Sequence, residues 1–329
     1  MTRGQGSKRA QRARANGVGM HLAIMGTGGL GGYFGARLAA AGNDVTFIAR
    51  GKHLAAIRAN GLQVRSALGN VTVAPANATD NLADVGTVDI VILAVKLWDT
   101  ESAAEAIGSL IGPQTLVVSF QNGVEKDDTL AKTVGAANRM GGVAYIPSVI
   151  AEPGVIQHTG TLAKLIVGAY EPAQVDRVNV FADAARAAKI EIEVSDDIAR
   201  LIWEKFVFIV GLSNMTALVR APLGVLRAHA GTRSLLHDVM AETAAVARAR
   251  KIALPVEFAD QRMAFCDQAP AQMTSSMHGD LENGSRLELP WLGGAVVRYG
   301  IELGVPTPTC AFIERALGPY VSGKPDISA

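Results

Sequence analysis

The chain reads as a series of short, mostly apolar runs, each broken off by glycine or a polar residue. His21-Leu22-Ala23-Ile24-Met25 is the first of them. Apolar residues without alternation mark a strand covered on both faces. Val45-Thr46-Phe47-Ile48-Ala49, then Val88 to Val95, then Thr115 to Phe120, repeat the pattern. A small-residue helix from Tyr33 to Ala41, closed by Gly42, separates the first two. Strands alternating with helices predict a parallel sheet. Leu62-Gln63-Val64 and Val71-Thr72-Val73 predict a small hairpin. Beyond Gly141 the pattern turns strand-rich, with Val143-Ala144-Tyr145, Val155 to His158 and Leu165 to Gly168. Ala173 to Lys189 then reads as a helix, and Ile190 to Val194 alternates apolar and acidic like a half-exposed edge strand. After Asp196-Asp197 the texture switches to long helices over Ile198–Leu218, Ser234–Lys251, Val256–Gln268 and Trp291–Leu303. No internal repeat is visible.

The first strand runs straight into Gly26-Thr27-Gly28-Gly29-Leu30-Gly31. Strand, G-x-G-x-x-G, helix and strand follow one another as a dinucleotide-binding unit requires. Gly26 makes the tight turn, Gly28 lets the backbone approach a pyrophosphate, and Gly31 lets the helix pack close to the strand. The free N–H groups at the helix start then face the phosphates. An NAD site usually carries an acid at the end of the second strand; here Arg50-Gly51-Lys52-His53 stands there with no carboxylate. A guanidinium can grip a 2′-phosphate bidentately, so the expected cofactor is NADP(H), the alternative for Arg50 being a solvated strand end. Lys96 and Asn122 follow the next two strands, at the carboxyl ends where open parallel sheets bind ligands. The fold class expected is α/β, with a Rossmann-type parallel-sheet domain over residues 20–194 and an all-α C-terminal domain over 195–329. The boundary is placed near Ser195.

Composition narrows the function. With 31 Lys+Arg against 30 Asp+Glu in 329 residues, the chain is neither a globally basic nucleic-acid binder nor an acidic disordered one. Only Cys266 and Cys310 are present, which excludes a disulfide scaffold and points to a reducing compartment, the cytoplasm. The six histidines show no metal-ligand spacing, so no metal is expected. No uninterrupted apolar run reaches 18 residues, so no membrane span is expected. Residues 1–19 carry Arg3, Lys8, Arg9, Arg12 and Arg14 without an acid and read as a disordered basic leader or an upstream start. That segment lacks the aromatic partners of a nucleic-acid arm and the amphipathic pattern of a transit segment.

The motif set resembles the ketopantoate reductase (2-dehydropantoate 2-reductase) family. The resemblance rests on Gly26–Gly31 with Arg50, Ala94-Val95-Lys96, Gln121-Asn122-Gly123, Ile156-Gln157-His158-Thr159-Gly160, Trp203-Glu204-Lys205-Phe206, Thr274-Ser275-Ser276-Met277 and Arg286-Leu287-Glu288-Leu289. These stand in family order from Met20 to about Leu317. The resemblance implies NADPH-dependent reduction of a 2-oxo acid, 2-dehydropantoate to pantoate in the pantothenate pathway. It implies Lys205 as the general acid and Glu288 as a carboxylate near that lysine and the substrate. It implies Ser276 on the substrate carboxylate, and Lys96 and Asn122 lining the cofactor and substrate site. Ser213 is a further substrate-binding candidate, and a homodimer through the helical part is expected.

Four positions depart from the family pattern. Asparagines are usual four and eight residues after the lysine, where Ile209 and Ser213 stand. Another asparagine is usual where Met273 stands, and an acid where Pro290 stands. A polar substrate hydroxyl would lose about 1–3 kcal/mol for each partner missing. Two function classes therefore stay open: a reductase, acting on 2-dehydropantoate or on a less polar 2-oxo acid or ketone, and a non-catalytic NADPH-binding sensor. Retention of Lys205, Ser276 and Glu288 favours the enzyme, because a sensor needs only the nucleotide half.

Overall fold

The computed structural model describes residues 19–325, so all of the basic leader except Gly19 lies outside the described residues. The chain divides into two compact units. One runs to Gln121 and resumes over Lys126–Ile198; the other joins Asn122–Glu125 to everything from Ala199 onward. The sequence had suggested a single boundary near Ser195. The excursion of Asn122–Glu125 into the second unit has a local cause, given below.

The first unit holds β1 (His21–Met25), β2 (Asp44–Ile48), β3 (Leu62–Arg65), β4 (Val71–Val73), β5 (Asn77–Thr79), β6 (Ile90–Leu93), β7 (Leu116–Ser119), β8 (Arg139–Tyr145), β9 (Ser148–Glu152), β10 (Val155–His158), β11 (Lys164–Gly168) and β12 (Glu191–Val194). Eight of these form one sheet in the order β12-β11-β8-β7-β6-β1-β2-β5. From β8 to β5 every pair is parallel, whereas β11 runs antiparallel to β8. The chain builds outward from β1 through β2 to β5, then returns to the other side of β1 to place β6. The order thus reverses between β1 and β6, and that is where a parallel sheet opens a crevice at its carboxyl edge. As expected, β12 is the edge strand.

The apolar runs explain the two covered faces. Along each central strand, alternate residues enter different cores. Leu22, Ile24, Ile90, Ile92, Leu116 and Val118 share one cluster, while Ala23, Met25, Val91, Leu93 and Val117 share the other. The first cluster is closed by Phe34 of α1 (Gly29–Ala40) and Phe181 of a helix over Val175–Ala187. The second is closed by Ala103 and Ala104 of a helix over Thr100–Ala106 and by Leu130 of a helix over Lys126–Thr133.

A second sheet, in the order β4-β3-β10-β9, lies in the same unit. It contains the expected hairpin of β3 and β4 and pairs β3 in parallel with β10. The sequence reading missed β9, whose Val149 and Ile150 are exposed. It also missed α2 (Gly51–Asn60).

The second unit is helical, as expected. It contains α3 (Ile198–Val219, its first residue counted with the other unit), α4 (Ala230–Ala249), α5 (Phe258–Gln268), α6 (Ser276–Glu282), α7 (Gly293–Leu303) and α8 (Pro308–Leu317) among its longer elements. Among the described residues, α3 alone is long and apolar enough to cross a membrane, and 67% of that apolar window is buried inside the protein. Phe206, Val207, Val210, Met215 and Ala217 are among its residues at 0–1% exposure, which is the profile of a core helix.

Candidate active site

In the first unit the glycine turn lies between β1 and α1. Gly26 has φ +99°, and a Cβ there would stand 2.8 Å from the Ala94 carbonyl carbon and 2.9 Å from the Val95 nitrogen. The turn therefore crosses the end of β6 in direct backbone contact. A Cβ on Gly31 would lie 2.2 Å from the Gly26 carbonyl oxygen. Gly28 caps α1 at φ −82°, and a Cβ on it would meet nothing within 4 Å. Gly26 thus lies in a tight turn and Gly31 in a close helix–strand contact, while Gly28 borders open space.

Leu30 and Gly29 fall in the first turn of α1, which has neither a capping side chain nor an acid. Its N–H groups and the positive end of its dipole are thus directed at whatever anion approaches. Thr27 anchors the loop, since its N–H and its Oγ1–H both donate to the Ile48 carbonyl at the end of β2, at 3.1 and 3.0 Å. Arg50 is exposed two residues past β2 and precedes the first turn of α2, with no acid among Ala49 to His53. An uncapped helix start and an open Gly28 beside an exposed strand-end Arg50 fit a nicotinamide dinucleotide.

Lys96 is exposed just past β6, its ammonium 5.5 Å from the centre of the Trp98 ring. Its strand end is braced by Gln121, whose Nε2 donates to the Val95 carbonyl at 2.8 Å and to Thr100 Oγ1 at 2.9 Å. Ser119 Oγ donates in turn to Gln121 Oε1 at 2.7 Å. Gln121 was legible only as part of a motif; its bracing role depends on backbone contacts from another strand end.

The second unit gathers the other candidates. Lys205 is half-buried on α3, and its Nζ donates to Asn122 Oδ1 at 2.8 Å. Asn122, read from sequence with the nucleotide domain, thus belongs with the helical unit. The loop that carries it is gripped a second time, because Arg298 on α7 donates through Nη2 to both Glu125 carboxylate oxygens at 2.9 and 2.7 Å. The same guanidinium donates through Nη1 to the Pro290 carbonyl at 2.7 Å. These bonds tie the loop over Asn122–Glu125 to the helical unit.

Ser275 caps α6, its Oγ accepting the His278 N–H at 3.0 Å and lying 3.0 Å from Thr216 Oγ1 of α3. This fixes the start of α6 on α3 and leaves Ser276, the next residue, exposed. Ser213 is buried on α3, and Glu288 is 8% exposed, its carbonyl accepting from the Trp291 and Leu292 N–H groups at 3.0 and 3.2 Å. Ile209 and Met273 are half-buried. Among the described residues no cluster of His, Cys, Asp and Glu could hold a metal ion.

Sequence reasoning gave His53 no role. It follows Arg50 in α2, yet its ring is hydrogen-bonded to the glycine turn. A lone histidine at the start of a helix carries no signal of such a role.

A glycine turn at the switch point of a parallel sheet, followed by a helical unit bearing a half-buried lysine, defines a two-unit nicotinamide-dependent oxidoreductase. Comparison with known proteins agrees. Residues 22–172 match the family described as "Ketopantoate reductase PanE/ApbA", and residues 197–320 match its C-terminal part. The chain belongs to the ketopantoate reductase family, whose members are oxidoreductases acting on CH–OH groups with NAD(P)H.

A protein named 2-dehydropantoate 2-reductase from Mesorhizobium japonicum is 30% identical over 311 residues, covering 88% of this chain and 94% of its own. The crystal structure of a PanE/ApbA family ketopantoate reductase from Ralstonia eutropha superposes with a TM-score of 0.83 at 32% identity, covering 92% of this chain and 98% of that one. A ternary structure of D-mandelate dehydrogenase with NADH and anilino(oxo)acetate has a TM-score of 0.83 at 25% identity, with the same coverage of 92% and 98%.

Proposed function

We propose that the protein reduces a 2-oxo acid to the 2-hydroxy acid, with NADPH as reductant and 2-dehydropantoate as substrate. The observation that carries this reading is the half-buried Lys205 ammonium, held by Asn122 Oδ1 at 2.8 Å on a largely apolar helix. When bound, NADPH supplies a hydride to the carbonyl carbon. The N–H groups at the start of α1 take its pyrophosphate, and the Arg50 guanidinium grips its 2′-phosphate. The carbonyl oxygen then needs a proton, and the Lys205 ammonium donates it. Before that transfer, the same charge draws electron density toward the oxygen. Asn122 occupies one of the N–H bonds of the ammonium and so fixes where it sits. The Ser276 hydroxyl binds the substrate carboxylate, and Glu288 orients substrate and lysine. The family, and the name of the relative from Mesorhizobium japonicum, support 2-dehydropantoate. Free, buried Cys266 and Cys310 support a reducing compartment, and we place the reaction in the cytoplasm.

One observation favours a second substrate reading. Ile209 and Met273, both half-buried, stand at positions where the family usually carries asparagines that a hydroxylated substrate could use. The likeness to a D-mandelate dehydrogenase bound to anilino(oxo)acetate points the same way. The test is NADPH and NADH oxidation over a panel containing 2-dehydropantoate and 2-oxo acids with branched or aryl side chains. Highest kcat/KM on 2-dehydropantoate with NADPH supports the first reading, and a preference for an unhydroxylated acid replaces it with the second. Tight NADPH binding with no turnover on any acid would make the protein a nucleotide sensor.

A further inference from the structure

We propose that His53 is the positioning residue of the nucleotide loop: it holds the Thr27 carbonyl and thereby aims the Gly28 N–H at the bound cofactor. The proposal rests on the glycine turn binding a nicotinamide nucleotide, as the family does. His53 Nε2 stands 2.7 Å from the Thr27 carbonyl oxygen, and its Nδ1 stands 3.0 Å from the Gly154 nitrogen. A carbonyl only accepts and a backbone N–H only donates, so the ring is neutral with its proton on Nε2. Burial acts in the same direction and lowers the His53 pKa, against the raising effect of the bond to Thr27. One ring therefore joins the glycine turn, α2 and the turn between β9 and β10.

The consequence follows from peptide geometry. The unit linking Thr27 to Gly28 is planar, and its C=O and N–H point in opposite directions. Anchoring the oxygen on His53 sends the Gly28 N–H away from the ring. Gly28 itself borders open space, with nothing within 4 Å of an added Cβ. The remaining polar groups of Thr27, its N–H and hydroxyl, are already committed to the Ile48 carbonyl. His53 thus supplies the anchor that fixes the plane of the next peptide, the one whose N–H faces the pyrophosphate. Without it that plane is free to turn, and the loop must be ordered by the nucleotide at a cost in affinity.

The test compares three substitutions in the full chain. Glutamine places an amide N–H where Nε2–H stood and can still reach Thr27. Asparagine places its amide near the Nδ1 position, within reach of Gly154 but not of Thr27. Alanine reaches neither. Dissociation constants for NADPH and NADH are measured by nucleotide fluorescence, with kcat at saturating nucleotide and the Tm of each nucleotide-free variant. We expect His53→Ala and His53→Asn to bind both nucleotides about twofold to tenfold more weakly, the worth of one hydrogen bond, with kcat within about twofold of the unmutated value. His53→Gln should bind nearly as the unmutated protein does. It keeps the test decisive if the alanine variant unfolds. Asparagine restoring affinity where glutamine fails would show that the ring serves only the turn at Gly154 and overturn the proposal. Equal dissociation constants across all three variants would do the same. An unmutated protein that binds neither nucleotide would defeat the cofactor reading itself, and the proposal with it.

Discussion

Two neighbouring glycines should fail in opposite ways when replaced by alanine. At Gly31 the new methyl would sit 2.2 Å from the Gly26 carbonyl oxygen, 2.9 Å from Ile24 Cγ2 and 3.1 Å from Ala94 Cβ. Carbon–oxygen contacts close no nearer than about 3.3 Å, so α1 or the turn must move by roughly 1 Å. Overpacking against side chains that can shift costs about 1–3 kcal/mol; here the worst contact is backbone, so the cost belongs at about 3 kcal/mol or above. For a unit of this size each kcal/mol is about 2–4 °C of Tm, which predicts a fall of about 6–12 °C.

At Gly28 the backbone, at φ −82°, already suits an L-residue and the methyl meets nothing. Alanine there costs about 1 kcal/mol as a poor helix cap, or about 2–4 °C. It does, however, occupy the face a pyrophosphate must approach, so NADPH binding should weaken about tenfold or more. The assay is thermal unfolding without nucleotide, followed by NADPH titration of both variants. An unchanged Tm for Gly31→Ala, or unchanged NADPH affinity for Gly28→Ala, would refute the division of labour drawn between the two positions.

Arg50→Asp should cost about 1.5–3 kcal/mol of NADPH affinity, the value of hydrogen bonds to a charged group, and far less of NADH affinity. Parallel titrations check this, and equal losses for the two nucleotides would remove Arg50 from the 2′-phosphate. Asp127→Ala should destabilise the first unit by about 3–5 kcal/mol, because it strands a buried ammonium. The Lys126 side chain is 1% exposed, with its Nζ 2.9 Å from Asp127 Oδ2, and Tyr170 Oη also donates to that oxygen at 2.9 Å. Urea unfolding measures the effect, and a change below about 1 kcal/mol would contradict the assignment of that pair as a buried, coupled one.

What could be read without coordinates was whatever short-range pattern dictates. The run Leu22 to Met25 ending in Gly26 specified a doubly covered strand and a phosphate-type turn within a dozen residues, and the helical texture after Asp197 announced the second unit. The small sheet was half-legible. Its β3–β4 hairpin is local, but β3 pairs with β10 across some ninety intervening residues, with Val155 opposite Gln63. The outer strand β9 hides itself by exposing Val149 and Ile150, so it never alternates cleanly. Asn122 was placed with the strand it follows, whereas Glu125 pairs with Arg298, 173 residues away, and no local pattern encodes that. His53 was invisible because both its partners are backbone atoms of distant turns, which leave no trace in residue identity.

The central claim is that Lys205 donates the proton, and its most direct test is steady-state kinetics of Lys205→Ala on the best 2-oxo acid, with NADPH affinity measured alongside. Loss of a positioned general acid predicts a kcat lower by about 10²–10⁴-fold. NADPH affinity should stay nearly unchanged, since the proposed phosphate contacts are with Gly26–Gly31 and Arg50. Lys205→Arg should recover little, guanidinium being too weak an acid and too wide for the place of an ammonium. Turnover of Lys205→Ala at the unmutated rate would contradict the account and make Lys205 a bystander.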